Sequence, residues 1–130
     1  MNWLQKAAGQ GDSMAQNKLG AYYFNGRAIA ADESVAAAWF GKAAEQANRK
    51  AQENLATLFR LGRGVRRNLR LAYMWRWISV QGSDTTENSE LRDMASAMSK
   101  GEIADAESSV SQWLAKNKAH DPAPTLLMLN

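Results

Sequence analysis

Trp3-Leu-Gln-Lys-Ala-Ala8 returns 36 residues later as Trp39-Phe-Gly-Lys-Ala-Ala44, and Trp75 stands one further period along. The shift aligns Ala15-Gln16 with Ala51-Gln52, Leu19 with Leu55 and Leu91, Gly26-Arg27 with Gly62-Arg63, and Ala36 with Ala72. From residue 3 to residue 39 it produces twelve identities in thirty-seven positions. A period of this length marks a stack of small supersecondary units, none of which can bury its apolar face alone.

Within each period the pattern is helical. Ala15, Leu19, Tyr22 and Tyr23 recur at three-to-four spacing, and so do Ala51, Leu55, Leu58 and Phe59. A second helix follows from about Asp32 through Trp39 to Ala43, and its copy runs from about Asn68 through Trp75 to Ile78. Asp32 and Asn68 suit the N-cap, where a side-chain oxygen accepts from free backbone amides. Gly26 and Gly62 suit the left-handed position that ends the first helix of each pair. Ile29 and Val65 then plug the gap between paired helices, and Ala7, Ala8, Ala43 and Ala44 allow close approach. Each period tryptophan is expected to wedge between units, burying about 150–250 Å².

Beyond Gly82 the period weakens. Ser89 to Met98 reads as a helix with Leu91, Met94, Ala95 and Met98 inward. Ser99-Lys-Gly-Glu102 reads as a capping box. A last helix, to about Lys116, carries Ile103, Ala106, Val110, Trp113 and Leu114 on one face. The expected organisation is a partial unit over 1–11, full units over 12–47 and 48–83, and a degenerate cap over 84–117. A proline-containing tail follows over 118–130, whose Leu126-Leu-Met-Leu129 packs on the stack, stays free or enters a neighbour's groove.

Ala36-x-x-Trp39-Phe-x-Lys-Ala-Ala-Glu-Gln46 followed by Ala51-Gln-x-x-Leu55-Ala-x-Leu-Phe-x-x-Gly62-x-Gly-Val65 resembles the Sel-one-like repeat (SLR) family, relatives of tetratricopeptide repeats. The likeness spans about residues 1–117, and Leu91 to Glu107 looks like the terminal cap of bacterial members. The resemblance implies an all-α, right-handed α-α superhelix of about three helical pairs with a C-terminal capping helix. It implies a protein-binding adaptor whose concave face is lined by the first helix of each pair. Ala28 in place of the second loop glycine, Asn68 in place of Asp, and Arg66-Arg67 depart from the family pattern.

Chemistry-bearing residues are sparse. The 130-residue chain has no cysteine and one histidine, His120, in the tail, so thiolate metal sites and disulfides are excluded. Asp84, Glu87, Glu90 and Asp93 read as first-turn acids favoured by the helix dipole rather than as an acid–base pair. Gly62-x-Gly64 follows a helix and lacks the Lys-Ser/Thr of a phosphate loop. No catalytic residue, cofactor or metal is therefore expected.

The net charge of +3 is unevenly spread: +2 over residues 1–50, +5 over 51–82 and −4 over 83–130. Arg63, Arg66, Arg67 and Arg70 form a candidate basic patch, read as a solvated surface or as a site for an acidic protein partner. A nucleic-acid surface is disfavoured by the modest total charge. The candidate groove is offset from the inward set Leu19, Gly20 and Tyr23. It comprises Asn17, Ala21, Phe24 and Asn25, then Glu53, Thr57, Arg60 and Leu61, then Ser89, Asp93 and Ser96. Phe24 either anchors a peptide there or packs under the next unit. An alternative is an immunity-type inhibitor that blocks a toxin or enzyme. Self-association is expected through an uncovered Trp3 and Leu4 or through the tail. With neither an export signal nor a long apolar run in the sequence as it stands, the expected setting is cytoplasmic. A removed leader would make it periplasmic or secreted.

Overall fold

The computed structural model describes residues 2–26, 30–81 and 89–117. These form seven helices and no strand: α1 (Asn2–Gly9), α2 (Ser13–Asn25), α3 (Glu33–Glu45), α4 (Arg49–Leu61), α5 (Leu69–Ser79), α6 (Ser89–Ser96) and α7 (Lys100–Asn117). Helices α2 and α3 make one pair and α4 and α5 the next. Ile29 and the tail 118–130 lie outside the described residues, as do Asp84 and Glu87.

The local signals act at the expected positions, and they repeat. Asp32 Oδ1 accepts from Val35 N at 3.1 Å, and Asn68 Oδ1 accepts from Leu71 N at 3.0 Å. Asp12 and Asn48 cap α2 and α4 in the same way, accepting from Ala15 N and Ala51 N. Gly26 and Gly62 both sit at φ 72°, each donating to a carbonyl in the last turn of its helix, Tyr22 and Leu58. There an L-residue would pay the left-handed penalty. Each loop then closes on its own first helix: Asp32 N donates to Tyr23 O, and Asn68 N to Phe59 O.

A less visible contact joins one pair to the next. Gln16 and Gln52 are buried, unusually for glutamine. Gln16 Nε2 donates to Ala8 O at 3.0 Å, and Gln52 Nε2 donates to Ala44 O at 3.1 Å. Each amide thus adds a side-chain donor to a carbonyl at the end of the helix before it, which also accepts from the backbone N–H of Gly11 or Ala47. Gln46 Nε2 extends the contact by donating to Gln16 Oε1 at 2.8 Å.

The core runs along the stack in three clusters. Leu4, Ala8, Ala15 and Leu19 join α1 to α2. Ala36, Phe40, Ala44, Leu55, Leu58, Trp75 and Ile78 fill the middle, with Val65 packed against them. Tyr73, Leu91, Met94, Met98 and Ala106 seat α6 and α7 on α5. The capping box at α7 forms in both directions: Glu102 N donates to Ser99 Oγ at 3.1 Å, and Ser99 N donates to Glu102 Oε1 at 3.0 Å. Those bonds hold the Glu102 carboxyl below its ordinary range.

The period tryptophans share a register but not a burial: the wedged setting expected of the period holds for Trp75 and partly for Trp39, while Trp3 is uncovered, as was also expected. Trp75 is 5% exposed, Trp39 is half-buried and Trp3 is 70% exposed. Trp39 packs on the α1–α2 cluster and Trp75 on the middle one. Each tryptophan is thus covered by the unit upstream of its own, and no described helix lies upstream of Trp3. Trp75 gains further cover from α7, where Trp113 meets it edge to face at 5.8 Å and donates Nε1 to Glu45 Oε2. Leu4, also expected to be uncovered, is buried beneath α2.

Two stability measurements check this account. Trp75→Ala is expected to lower unfolding free energy by about 3–5 kcal/mol. Trp3→Ala, changing an exposed side chain, should stay within about 0.5 kcal/mol of the parent in the same urea titration. Ala47 adopts φ 67° at the position where the previous unit has Gly11 at φ 99°. Ala47→Gly is therefore expected to raise the urea midpoint. Relief of about 1–2 kcal/mol of left-handed strain outweighs the roughly 0.5–1 kcal/mol entropic cost of glycine.

Candidate functional site

The residues offset from the packing face of α2 do converge. Ala21, Phe24 and Asn25 form one wall of a depression whose other wall is Asn54, Thr57 and Leu58 of α4, with Phe40 beneath. Its volume is about 260 Å³. At one end Asn54 Nδ2 donates to Asn17 Oδ1 at 3.2 Å, so Asn17 ties the two walls together. Phe24 is half-buried: it packs against the middle core, and the Arg63 guanidinium stands 4.6 Å over its ring. Phe24 thus packs against the middle core while part of its side chain stays accessible.

The other predicted groove residues do not join this depression. Glu53 and Arg60 belong to a charged junction between α4 and α6. Arg76 Nη1 lies 3.5 Å from Glu53 Oε1, Arg76 Nε 3.2 Å from Glu90 Oε2, and Arg60 Nε 3.6 Å from Glu90 Oε1. The two Nε atoms are shielded from solvent yet have no hydrogen-bond partner. Their attachment to Glu90 is therefore ionic rather than directional. Leu61 is half-exposed, and Asp93, Ser89 and Ser96 are exposed on α6.

The 36-residue register explains the split. Phe24 corresponds to Arg60, Phe40 to Arg76, Asn17 to Glu53 and Asn54 to Glu90. Two aromatic rings and two amides at the α2–α4 junction become two guanidinium groups and two carboxylates at α4–α6. Asn54, Leu58, Phe40, Arg76 and Glu90 are all absent from the predicted groove. The coordinated exchange at these four positions was the sequence signal that would have found all of them but Leu58.

The four-arginine patch is also divided. Arg63 pairs with Glu33 as well as covering Phe24. Arg67 Nε donates to Arg60 O at 3.1 Å, which ties down the loop before α5. Arg70 is half-buried and acts electrostatically on Glu102, while Arg66 is exposed. On the other side of the stack, a groove of about 570 Å³ runs between α3 and α5. Ala37, Ala38 and Gly41 line one wall, Trp75 the other, and Leu55 and Phe59 of α4 lie between. Nearby, burial raises the Tyr73 phenol, helped by the Glu107 charge. Among the described residues, no group of three or more His, Cys, Asp or Glu side chains could hold a metal ion. No helix among them is long and apolar enough to cross a membrane.

Comparison with known proteins agrees with this architecture. The Sel1 repeat model matches residues 1–12, 13–48 and 49–75. The structure is similar to c5321, a protective antigen of uropathogenic Escherichia coli displaying an SLR fold, with a TM-score of 0.80 and 29% identity over 88% of this chain and 25% of that one. It is also similar to a Sel1 repeat protein from Oxalobacter formigenes, with a TM-score of 0.67 and 35% identity over 72% of this chain and 27% of that one. The chain thus spans about a quarter of the length of these solved relatives. No curated protein matches the sequence. With more than half of its residues matched in three successive repeats, and a helical stack that superposes on solved members, the chain belongs to the Sel1 repeat family.

Proposed function

We propose that the chain is a non-enzymatic interaction scaffold that holds an extended protein segment across α2 and α4. Sel1 repeats are typically protein-interaction scaffolds. The observation that carries the finer reading is the α2–α4 depression. It combines an aromatic floor, Phe24 and Phe40, with a rim of amide and hydroxyl groups from Asn25, Asn54 and Thr57. Such a rim can bond a peptide backbone, and the floor accepts one apolar anchor. At about 260 Å³ the space falls below the range of about 300–1,000 Å³ usual for small-molecule sites. It suits a single side chain of a larger partner better than a cofactor.

The larger α3–α5 groove is less suited to a peptide. Its lining is mostly apolar, and its carboxylate, Glu45, is already bonded to Trp113. Residues 51–82 carry a balance of +5, and Arg63 stands on the rim above Phe24. An acidic flank on the partner segment is therefore favoured.

The test is selection of a random peptide library on the intact chain, followed by titration of the enriched peptides. Enriched sequences are expected to share one large apolar residue with Asp or Glu beside it. Thr57→Arg, which fills the depression without replacing a core residue, should weaken them at least about tenfold, or about 1.4 kcal/mol, while the helical circular dichroism stays unchanged. Equal affinity for parent and Thr57→Arg would reject the proposed groove.

A further inference from the structure

Ala37 and Gly41 of α3 line the α3–α5 groove, of about 570 Å³, across from Trp75. Moved by one 36-residue period they become Tyr73 and Trp77 of α5. At that next junction the two rings meet edge to face at 5.4 Å and pack among Leu91, Met94 and Ala106 of α6 and α7. The α3–α5 junction thus lacks the two aromatic side chains that its successor uses to fill the same place. A side chain added at Gly41 would start in open space, with no neighbouring atom within 4 Å of its Cβ, and Ala38 is exposed. Such room is a departure from the close packing of helices elsewhere in the stack.

The last helix delivers the following chain to this groove. Asn117, at the end of α7, stands with Glu45, Gln46 and Ala47 at the C-terminal end of α3. Glu45 also lines the groove and accepts from Trp113 one turn earlier in α7. The groove follows α3 from Glu45 back to Ser34, about 16 Å of helix. Residues 118–125 reach up to about 26 Å when extended, and Pro122 and Pro124 among them oppose a continuation of α7. The next four residues, Leu126, Leu127, Met128 and Leu129, are all apolar. They can therefore be brought to any point of the groove.

We propose that Leu126, Leu127, Met128 and Leu129 dock in the α3–α5 groove of their own chain, taking the place that Tyr73 and Trp77 fill one unit later. The mostly apolar lining offers a free peptide few hydrogen-bond partners. A tethered segment needs only side-chain burial, because its effective concentration is on the order of 1 mM, and the open groove leaves its backbone in water. Docking in this way closes the α3–α5 face and leaves the α2–α4 depression accessible.

The chain has no cysteine, so Thr125→Cys accepts a single nitroxide label on the full chain. In amide spectra the signals of Ala38, Gly41 and Lys42 are expected to lose most of their intensity, while those of Asn17 and Asn54 persist. In urea, changing all four apolar residues to Ser should raise the unfolding constant about tenfold, as an effective concentration some ten times the intrinsic Kd requires. The same four changes should have no effect once Gly41→Trp, or Ala38→Trp at an exposed position, has filled the groove. Thr57→Arg should leave the broadening unchanged, so this proposal and the α2–α4 reading fail separately. Broadening spread evenly over the stack overturns the proposal, as does a tail effect on stability that is absent from the parent or equal in the filled and unfilled chains. Broadening of an isotope-labelled chain by a separate nitroxide-labelled one overturns it too, by assigning the groove to a second copy.

Discussion

A buried glutamine amide sets the step from one helical pair to the next. Gln16 and Gln52 each reach the terminal carbonyl of the preceding helix, Ala8 or Ala44, from a site closed to water. A net contribution of about 1 kcal/mol is modest beside the apolar burial around it. Its directionality matters more, since an unpaired buried side-chain amide would be costly. The apolar clusters tolerate small slips, whereas the amide requires one register. That register sets α4 beside α2, so that Asn54, Thr57 and Leu58 face Ala21, Phe24 and Asn25.

The first and last described helices are seated differently. Downstream, α7 abandons strict repetition. Its first half packs with α6 on Tyr73, and its second half reaches across to α3 through Val110, Trp113 and the bond to Glu45. This 18-residue helix turns Glu107, Ser108, Ser111 and Lys116 outward, a polar face away from the stack. Upstream, α1 buries Leu4 and Ala8 against α2 but leaves an indole in solvent.

Much of this was legible in the sequence. The N-caps Asp32 and Asn68, the left-handed Gly26 and Gly62 and the Ser99–Glu102 box depend on bonds within a few residues, so local chemistry suffices to place them. The period gave the helical pairs for a similar reason: burial on one face recurs at fixed intervals. The burial of the tryptophans was less accessible, because equivalence under a shift says nothing about which neighbour provides the cover. Gln16 and Gln52 stood out as identities, but their role depends on a carbonyl eight residues back in another helix. The candidate groove was half legible. Asn17, Ala21, Phe24, Asn25 and Thr57 were gathered by helical offset alone. Glu53 and Arg60 were misplaced because their partners, Arg76 and Glu90, come from two further helices.

The change from rings and amides to charges between successive junctions also bears on how an array of this kind can gain or lose members. Removing residues 48–83, one period, would put Glu90 where Asn54 now stands and so set it against Phe24. The carboxylate would lose its guanidinium counterions against an apolar ring. Loss of one unit would therefore carry a side-chain mismatch that no helix boundary reveals. The order of the units is written into the chain as firmly as their shape.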